Sequence, residues 1–383
     1  MSRYRWTILA LGTVAQASYS AVFLGIPVIA PQLRAHYGLS LTEVGLVLAA
    51  ANVGSMLTLL PWGLLTDRIG ERAVLTTGLA GACAALVAAS FAPSLALLVL
   101  TLMLAGAAGG SVNAASGRAV MSWFAPAQRG LALGIRQTAV PLGGAVAALV
   151  LPPVADVGGA RAALLCLAGG CLGTALAGAL GLREAPARAE EALDDLAHPL
   201  RDARMWHLSL GSGFLVAAQT SILAFAVLFL HGERGLSAGA AAGLLALMQV
   251  VGAALRIVSG RWSDRVGKRI GPLLRLAFAL AVALAVSAAL SEASLWLLVP
   301  ALVAAGALSQ AWNGLSFTAA AELAGRARSG AALGFQQTAL AVGGAVTPPV
   351  FASVVEASSW GIGFGLAAVL PVLGASLLRR VDV

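Results

Sequence analysis

Long apolar runs decide most of what this chain can become. Stretches near 6–30, 42–65, 73–91, 94–118, 130–152, 159–182, 205–230, 238–262, 270–290, 294–321, 330–353 and 359–378 each hold enough apolar residues to cross a bilayer. A helix needs roughly 20 such residues to span the ~30 Å hydrocarbon core. None of the runs alternates strictly between apolar and polar positions, so helices are expected rather than strands. Helices also satisfy their own backbone hydrogen bonds, which lipid requires. The composition agrees, with 59% of residues hydrophobic and only 10% charged, against about 25% charged in ordinary soluble domains. A soluble fold has no means of building a polar surface from this sequence. The chain is read as an all-α membrane protein.

The net charge of +8 does not point to nucleic acid, because the basic residues recur in short loops between apolar runs. Their distribution sets the expected orientation. With the N-terminus inside, 19 lysines and arginines fall on the cytoplasmic side, while only Arg34, Arg161 and Arg234 fall outside. Both termini are therefore expected in the cytoplasm of a multi-pass protein of a bacterial inner membrane. The basic, apolar start "MSRYRWTILALG" resembles a signal peptide, but no small-residue cleavage site follows, so it is read as a retained first helix. One long polar stretch, residues 183–204, mixes both charge signs with two prolines. It is expected to be a cytoplasmic linker, with room for one short amphipathic helix, between a bundle over 1–182 and another over 205–383. Cys83, Cys166 and Cys171 sit inside apolar runs without metal-ligand or disulfide spacing, and are read as packing residues.

The halves echo each other. "LGIRQTAVPLGGAV" at 133–146 returns as "LGFQQTALAVGGAV" at 333–346 with nine of fourteen positions identical, although Arg136 has become Gln336. "GLLTDRIGER" at 63–72 returns as "GRWSDRVGKR" at 260–269, and Asn113 returns as Asn313. Parallel repeats of six-helix halves are a known transporter architecture. On these motifs the chain resembles the major facilitator superfamily over essentially its whole length. The family's loop signature is carried by Gly63, Asp67, Arg68, Gly70 and Arg72, and again by Gly260, Asp264, Arg265, Gly267 and Arg269. Glycine permits close helix approach and tight turns, and an aspartate can sit at a helix N-terminus. The resemblance implies that Asp67 meets the start of span eleven, near Gly330, with Arg118 of span four joining the latch. Span ten shows no arginine equivalent to Arg118, and Glu71 departs from the family's usual basic residue. A purely topological role for these charges remains the other reading.

All sixteen acidic residues lie in loops or at helix ends, yet Arg136 and Arg256 lie inside spans five and eight. A buried arginine is costly unless it is paired or reaches water. The resemblance implies that spans five and eight face each other between the halves, where a substrate carboxylate or oxyanion would neutralise both guanidiniums. Snorkelling to the cytoplasmic interface is the alternative. The segment "LRIVSGRWSDRVG" resembles span eight of nitrate/nitrite, cyanate and oxalate-type carriers. Nitrate porters also carry an arginine in span two, and "LTLLPWGLL" has none. The family's cavity-lining helices place Gln16, Tyr19, Asn113, Gln219, Gln310, Trp312 and Asn313 as further candidate substrate contacts, to which the repeat adds Gln137 and Gln337.

The expectation is a secondary transporter of small organic or inorganic anions working by rocker-switch alternating access. Without an acidic group in a span to carry a proton, it would run as a uniporter or exchanger, or move a proton on the substrate. Multidrug or metabolite efflux, with the arginines as gating residues, is the alternative; it is suggested by Pro141 and Gly143–Gly144 in span five. No nucleotide loop, metal cluster or nucleophile–base pair is present, so neither a cofactor nor an enzyme activity is expected. The resemblance implies a monomer.

Overall fold

The computed structural model describes residues 4–124, 126–183, 201–324 and 329–381. Among them every regular element is helical. The first crossing, α1 (Tyr4–Gly25), passes through a 3-10 turn at Ile26–Ile29 into α2 (Ala30–Tyr37). A capping box starts α3 (Leu41–Ile69): the Glu43 N–H donates to the Ser40 hydroxyl and the Ser40 N–H donates to the Glu43 carboxylate. Next come α4 (Glu71–Ala89), then α5 (Leu95–Gly109) and α6 (Ser111–Trp123), two parts of one crossing interrupted at Gly110. The element α7 (Pro126–Gly181) closes the first half.

Eleven described segments are long and apolar enough to cross a membrane. One of these, Ile135–Gly181, has 47 residues, or about 70 Å of helix, more than twice the hydrocarbon core. It is two helices joined at Gly159, whose φ of 66° and ψ of −170° interrupt the helix. Taken as two arms, it restores the twelve crossings implied by the apolar runs. The expected loop between 152 and 159 is replaced by helix up to that one glycine.

The second half repeats the order with α8 (Ala203–Leu223), α9 (Ala238–Val266), α10 (Ile270–Ala289), α11 (Leu295–Ala311), α12 (Asn313–Ala324), α13 (Ser329–Ala357) and α14 (Trp360–Leu378). A short helix and a π-turn, Phe229–Glu233, follow α8. Asp202 caps α8 by accepting from the Arg204 N–H. Residues 184–200 of the expected linker, and the amphipathic helix placed there, lie outside the described residues.

The chain divides into two compact units, Met1–Ala189 with Leu236–Ala246, and Glu190–Gly235 with Leu247–Val383. In the first, α1 packs on α6 and α7, α3 on α5, and α4 on α5 and α7. In the second, α8 packs on α11, α13 and α14, and α10 on α11 and α14. The sequence repeat is thus a repeat of packing, and its glycines show why. A Cβ on Gly143 of α7 would stand 2.3 Å from the Ala17 carbonyl oxygen of α1. One on Gly343 of α13 would stand 2.6 Å from Val216 Cγ1 and 3.0 Å from the Gly213 carbonyl oxygen of α8. Small residues let membrane helices approach this closely. Large apolar side chains point outward instead, with Val157 at 92%, Trp296 at 90% and Leu180 at 87% exposure, as lipid contact allows.

Candidate functional site

Arg136 stands on α7 ten residues beyond Pro126, about 15 Å into the helix. Its side chain is 6% exposed. Its Nε donates to Ser116 Oγ at 2.8 Å, and Nη2 donates to Gln16 Oε1 at 2.7 Å and to the Asn113 carbonyl at 3.2 Å. Gln16 in turn donates to Ser20 Oγ at 3.4 Å. The guanidinium is therefore tied to α1 and α6 by uncharged acceptors. Among the described residues it makes no ion pair, and Nη1 makes no hydrogen bond. Of the other expected contacts, Asn113 and Gln137 are half-buried. Tyr19 is buried, and its hydroxyl donates to the Gly106 carbonyl of α5 at 3.3 Å.

The second unit builds the same junction without charge. Gln336, fully buried, accepts from Ser209 Oγ at 2.7 Å and donates to Ser316 Oγ at 2.5 Å. Ser316 also shares a 2.6 Å hydrogen bond with Ser212. Ser116 and Ser316 stand at equivalent places in the repeat, two hundred residues apart like Arg136 and Gln336. Asn313 donates to Gln219 Oε1 and to the Gln310 carbonyl, each at 3.2 Å. Gln337 is half-buried and makes no hydrogen bond among the described residues.

Arg256 sits on α9 ten residues before its end at Val266. Its Nε donates to the Gln310 carbonyl at 3.2 Å, while Ser259 Oγ donates to the Ala311 carbonyl at 2.6 Å. Those carbonyls close α11, just before the chain restarts as α12. The end of a helix leaves carbonyls without intrahelical donors and favours a cation. The first unit meets the same need with neutral groups, since Thr58 Oγ1 and Trp62 Nε1 donate to the Ala107 carbonyl at 2.8 and 2.6 Å. Gln310 is buried, its Nε2 donating to the Met248 carbonyl at 3.2 Å. Trp312, expected as a cavity wall, is 1% exposed and belongs to a core cluster with Met205, Leu208, Leu215 and Leu315.

The loop signatures are mostly helical. Gly63 and Arg68 belong to the end of α3, and Gly260, Asp264 and Arg265 to the end of α9. Only the second glycine of each copy turns the chain, Gly70 at φ 84° and Gly267 at φ 66°, a region glycine enters without strain. Gly63 and Gly260 have open space where a Cβ would stand, so within each unit they mark no close helix contact. Arg68, Arg72 and Arg265 are exposed, and the side chain of Asp67 lies outside the described residues. Arg118 forms an ion pair with Glu71 at 3.4 Å, and Ser122 Oγ donates to the same carboxylate at 3.3 Å. The residue that departs from the family's pattern is thus a partner of the arginine in span four.

In the second copy Arg269 joins Asp264, Ser263 and Glu322, the last at 3.0 Å. The Glu322 hydrogen bond, foremost, raises the Arg269 guanidinium above its ordinary value. Span ten supplies the acid here where span four supplies the base. Glu322 was legible only as an acid near a helix end; its partner was not.

Two helical units of like packing, each holding polar side chains inside a membrane-spanning bundle, define a secondary transporter. The sequence model described as Major Facilitator Superfamily matches residues 11–348, and the chain belongs to this family. It is 36% identical over 98% of its length to an uncharacterised MFS-type transporter of Mycobacterium tuberculosis, covering 84% of that protein. A protein of Cupriavidus necator named "Probable sulfoacetate transporter" is 26% identical, with coverage of 92% of this chain and 88% of the relative. A "Probable nitrate/nitrite antiporter" of Thermus thermophilus is 32% identical, with coverage of 69% and 62%. Among solved structures, a bacterial homologue of the human lysosomal transporter Spinster, inward-facing and occupied, superposes with a TM-score of 0.84 at 17% identity, covering 100% of this chain and 97% of the other. That likeness shows the fold. The protein is a multi-pass membrane transporter and not an enzyme.

Proposed function

We propose that this transporter moves a small organic or inorganic anion across the cytoplasmic membrane by rocker-switch alternating access. Arg136 is the chief anion ligand and Arg256 a second one. The observation that carries the reading is Arg136 itself: 6% exposed and, among the described residues, hydrogen-bonded only to uncharged acceptors. An arginine at the centre of a membrane helix costs about 2.5–3.5 kcal/mol even on insertion scales. Neutral hydrogen bonds offset part of that cost, and an anion taken up by Nη1 offsets the rest. Such a charge-assisted bond is roughly twice as strong as a neutral one. Arg256 is weighted less because its Nε already serves a helix end. Sulfoacetate and nitrate/nitrite, the substrates in the names of two of the relatives above, are anions.

The remaining parts of the reading follow from the charge pattern. Both termini are cytoplasmic, the bundles span 1–182 and 205–383, and residues 183–204 link them. With its acids at helix ends and in loops, the protein works as a uniporter or exchanger, or with the proton travelling on the substrate.

The test is thermal unfolding of detergent-purified protein with small carboxylates, sulfonates, nitrate, nitrite and cyanate, beside cationic dyes. A ligand at 100 times its Kd stabilises by about 2.7 kcal/mol. Stabilisation by an anion, absent in Arg136→Gln, supports the reading. Stabilisation by dyes alone, unchanged in Arg136→Gln and Arg256→Gln, replaces it with drug or metabolite efflux.

A further inference from the structure

Gln249 is 1% exposed, and among the described residues neither its Oε1 nor its Nε2 has a hydrogen-bond partner. Buried side-chain amides seldom stay unpaired, because each unmet group costs about 1–3 kcal/mol. The residue stands on α9 seven positions before Arg256. Seven residues are nearly two turns, which puts both on one face, about 20° apart around the axis and about 10 Å apart along it. Between them Gly252 makes room for Gln310, whose side chain would meet any added Cβ at 2.5 Å. Gln310 is already committed, its Nε2 to the Met248 carbonyl and its own carbonyl to Arg256 Nε. The face therefore carries a cation at one end and an unpaired amide at the other.

We infer that Gln249 reads a hydroxyl group on an organic anion whose charged end Arg256 holds; the inference rests on the anion reading above. The chemistry follows from both amide atoms being unmet. Oε1 needs a donor and Nε2 needs an acceptor. A carboxylate, sulfonate or nitrate oxygen only accepts, which would leave Oε1 bare. An ammonium only donates, which would leave Nε2 bare. A hydroxyl does both. The substrate class is therefore a hydroxylated carboxylate or sulfonate rather than a simple inorganic anion.

The experiment compares binding of matched pairs whose hydroxyl stands away from the charged end, 4-hydroxybutyrate with butyrate and 6-hydroxyhexanoate with hexanoate, to the purified full chain by calorimetry. Wild type, Gln249→Leu and the shape-conserving Gln249→Met are measured side by side, so that one variant serves if the other fails to fold. A site built around a hydrogen-bonding group discriminates strongly against a ligand lacking it, so wild type is expected to prefer the hydroxylated member by about tenfold or more. Both variants should lose that preference while binding butyrate and hexanoate within about twofold of wild type. Equal binding of the two members by wild type, or a preference that survives in the variants, overturns the assignment and leaves Gln249 a packing residue bonded to internal water. No anion binding at all by wild type sinks the anion reading and this inference together. Binding of anions without a hydroxyl preference sinks only the inference.

Discussion

At the same place in the repeat, the first unit keeps a guanidinium and the second a carboxamide. Both side chains reach the equivalent serine, Arg136 to Ser116 and Gln336 to Ser316. In the second unit the amide oxygen is met by Ser209 and the amide nitrogen by Ser316. Three helices, α8, α12 and α13, are thereby joined with no charge at all. The twin shows that architecture does not require an arginine here. In the first unit the same three-way junction carries a full positive charge and a nitrogen, Nη1, that no described residue uses. A feature one copy does without is the feature most open to function.

Removing the charge should break the comparison most sharply. Truncating a buried, hydrogen-bonded charge that meets a ligand costs about 2–5 kcal/mol, so Arg136→Gln should lower anion flux into proteoliposomes by roughly 100-fold while the fold survives. Flux within a few-fold of wild type would make Arg136 a second structural junction. The reverse exchange, Gln336→Arg, places a charge where Ser209 and Ser316 already satisfy an amide. It should destabilise the protein by about 2.5–3.5 kcal/mol, read as a lower midpoint of thermal unfolding. An unchanged midpoint would mean that either unit can house the arginine.

A finer test loosens the guanidinium without removing it. Gln16→Leu takes away the 2.7 Å acceptor of Nη2. Hydrogen bonds to charged groups are worth about 1.5–3 kcal/mol, so the anion Kd should rise by about tenfold or more, and in the double variant Gln16→Leu should add little to the effect of Arg136→Gln. The repeated glycines sharpen the packing side of the comparison. Gly143→Ala meets backbone at 2.3 Å, while Gly343→Ala first meets the end of the Val216 side chain at 2.6 Å. Overpacking costs about 1–3 kcal/mol, and the larger loss of thermal stability should fall at Gly143.

The smallest effect is expected at the helix ends, where the ion pairs run with opposite polarity, Glu71 to Arg118 and Glu322 to Arg269. Arg118 and Glu322 are substantially exposed. Such pairs are worth about 0.2–1 kcal/mol, so Glu71→Gln and Glu322→Gln should each change stability by less than that, and less again at high salt. A change in transport rate larger than the change in stability would give these pairs a conformational role.

Much of this was legible because helices write themselves locally. An apolar run of sufficient length, a serine before a glutamate three residues on, or a glycine pair returning after two hundred residues each reports on its own segment. Partners across helices do not. Trp312 reads as one more aromatic in a polar stretch, and only its burial against Met205, Leu208, Leu215 and Leu315 shows it to be core. Gln249 looks like any amide in a long helix until its burial and missing partners are seen. Glu322 needed its distance to Arg269, and the junction at Gly159 needed a backbone angle.

The sequence alone thus determined that the chain spans a membrane many times, that it is duplicated, and that two arginines lie where charge is expensive. Those properties depend on hydropathy and period, which sum along the chain. The tertiary structure alone decided that Arg136 is held by neutral groups with one nitrogen to spare, and that Arg256 serves a helix end. It also decided that the second copy is closed on itself. Hydrogen bonds and burial depend on distances of a few ångströms between segments far apart in sequence, and a sequence pattern does not carry those distances.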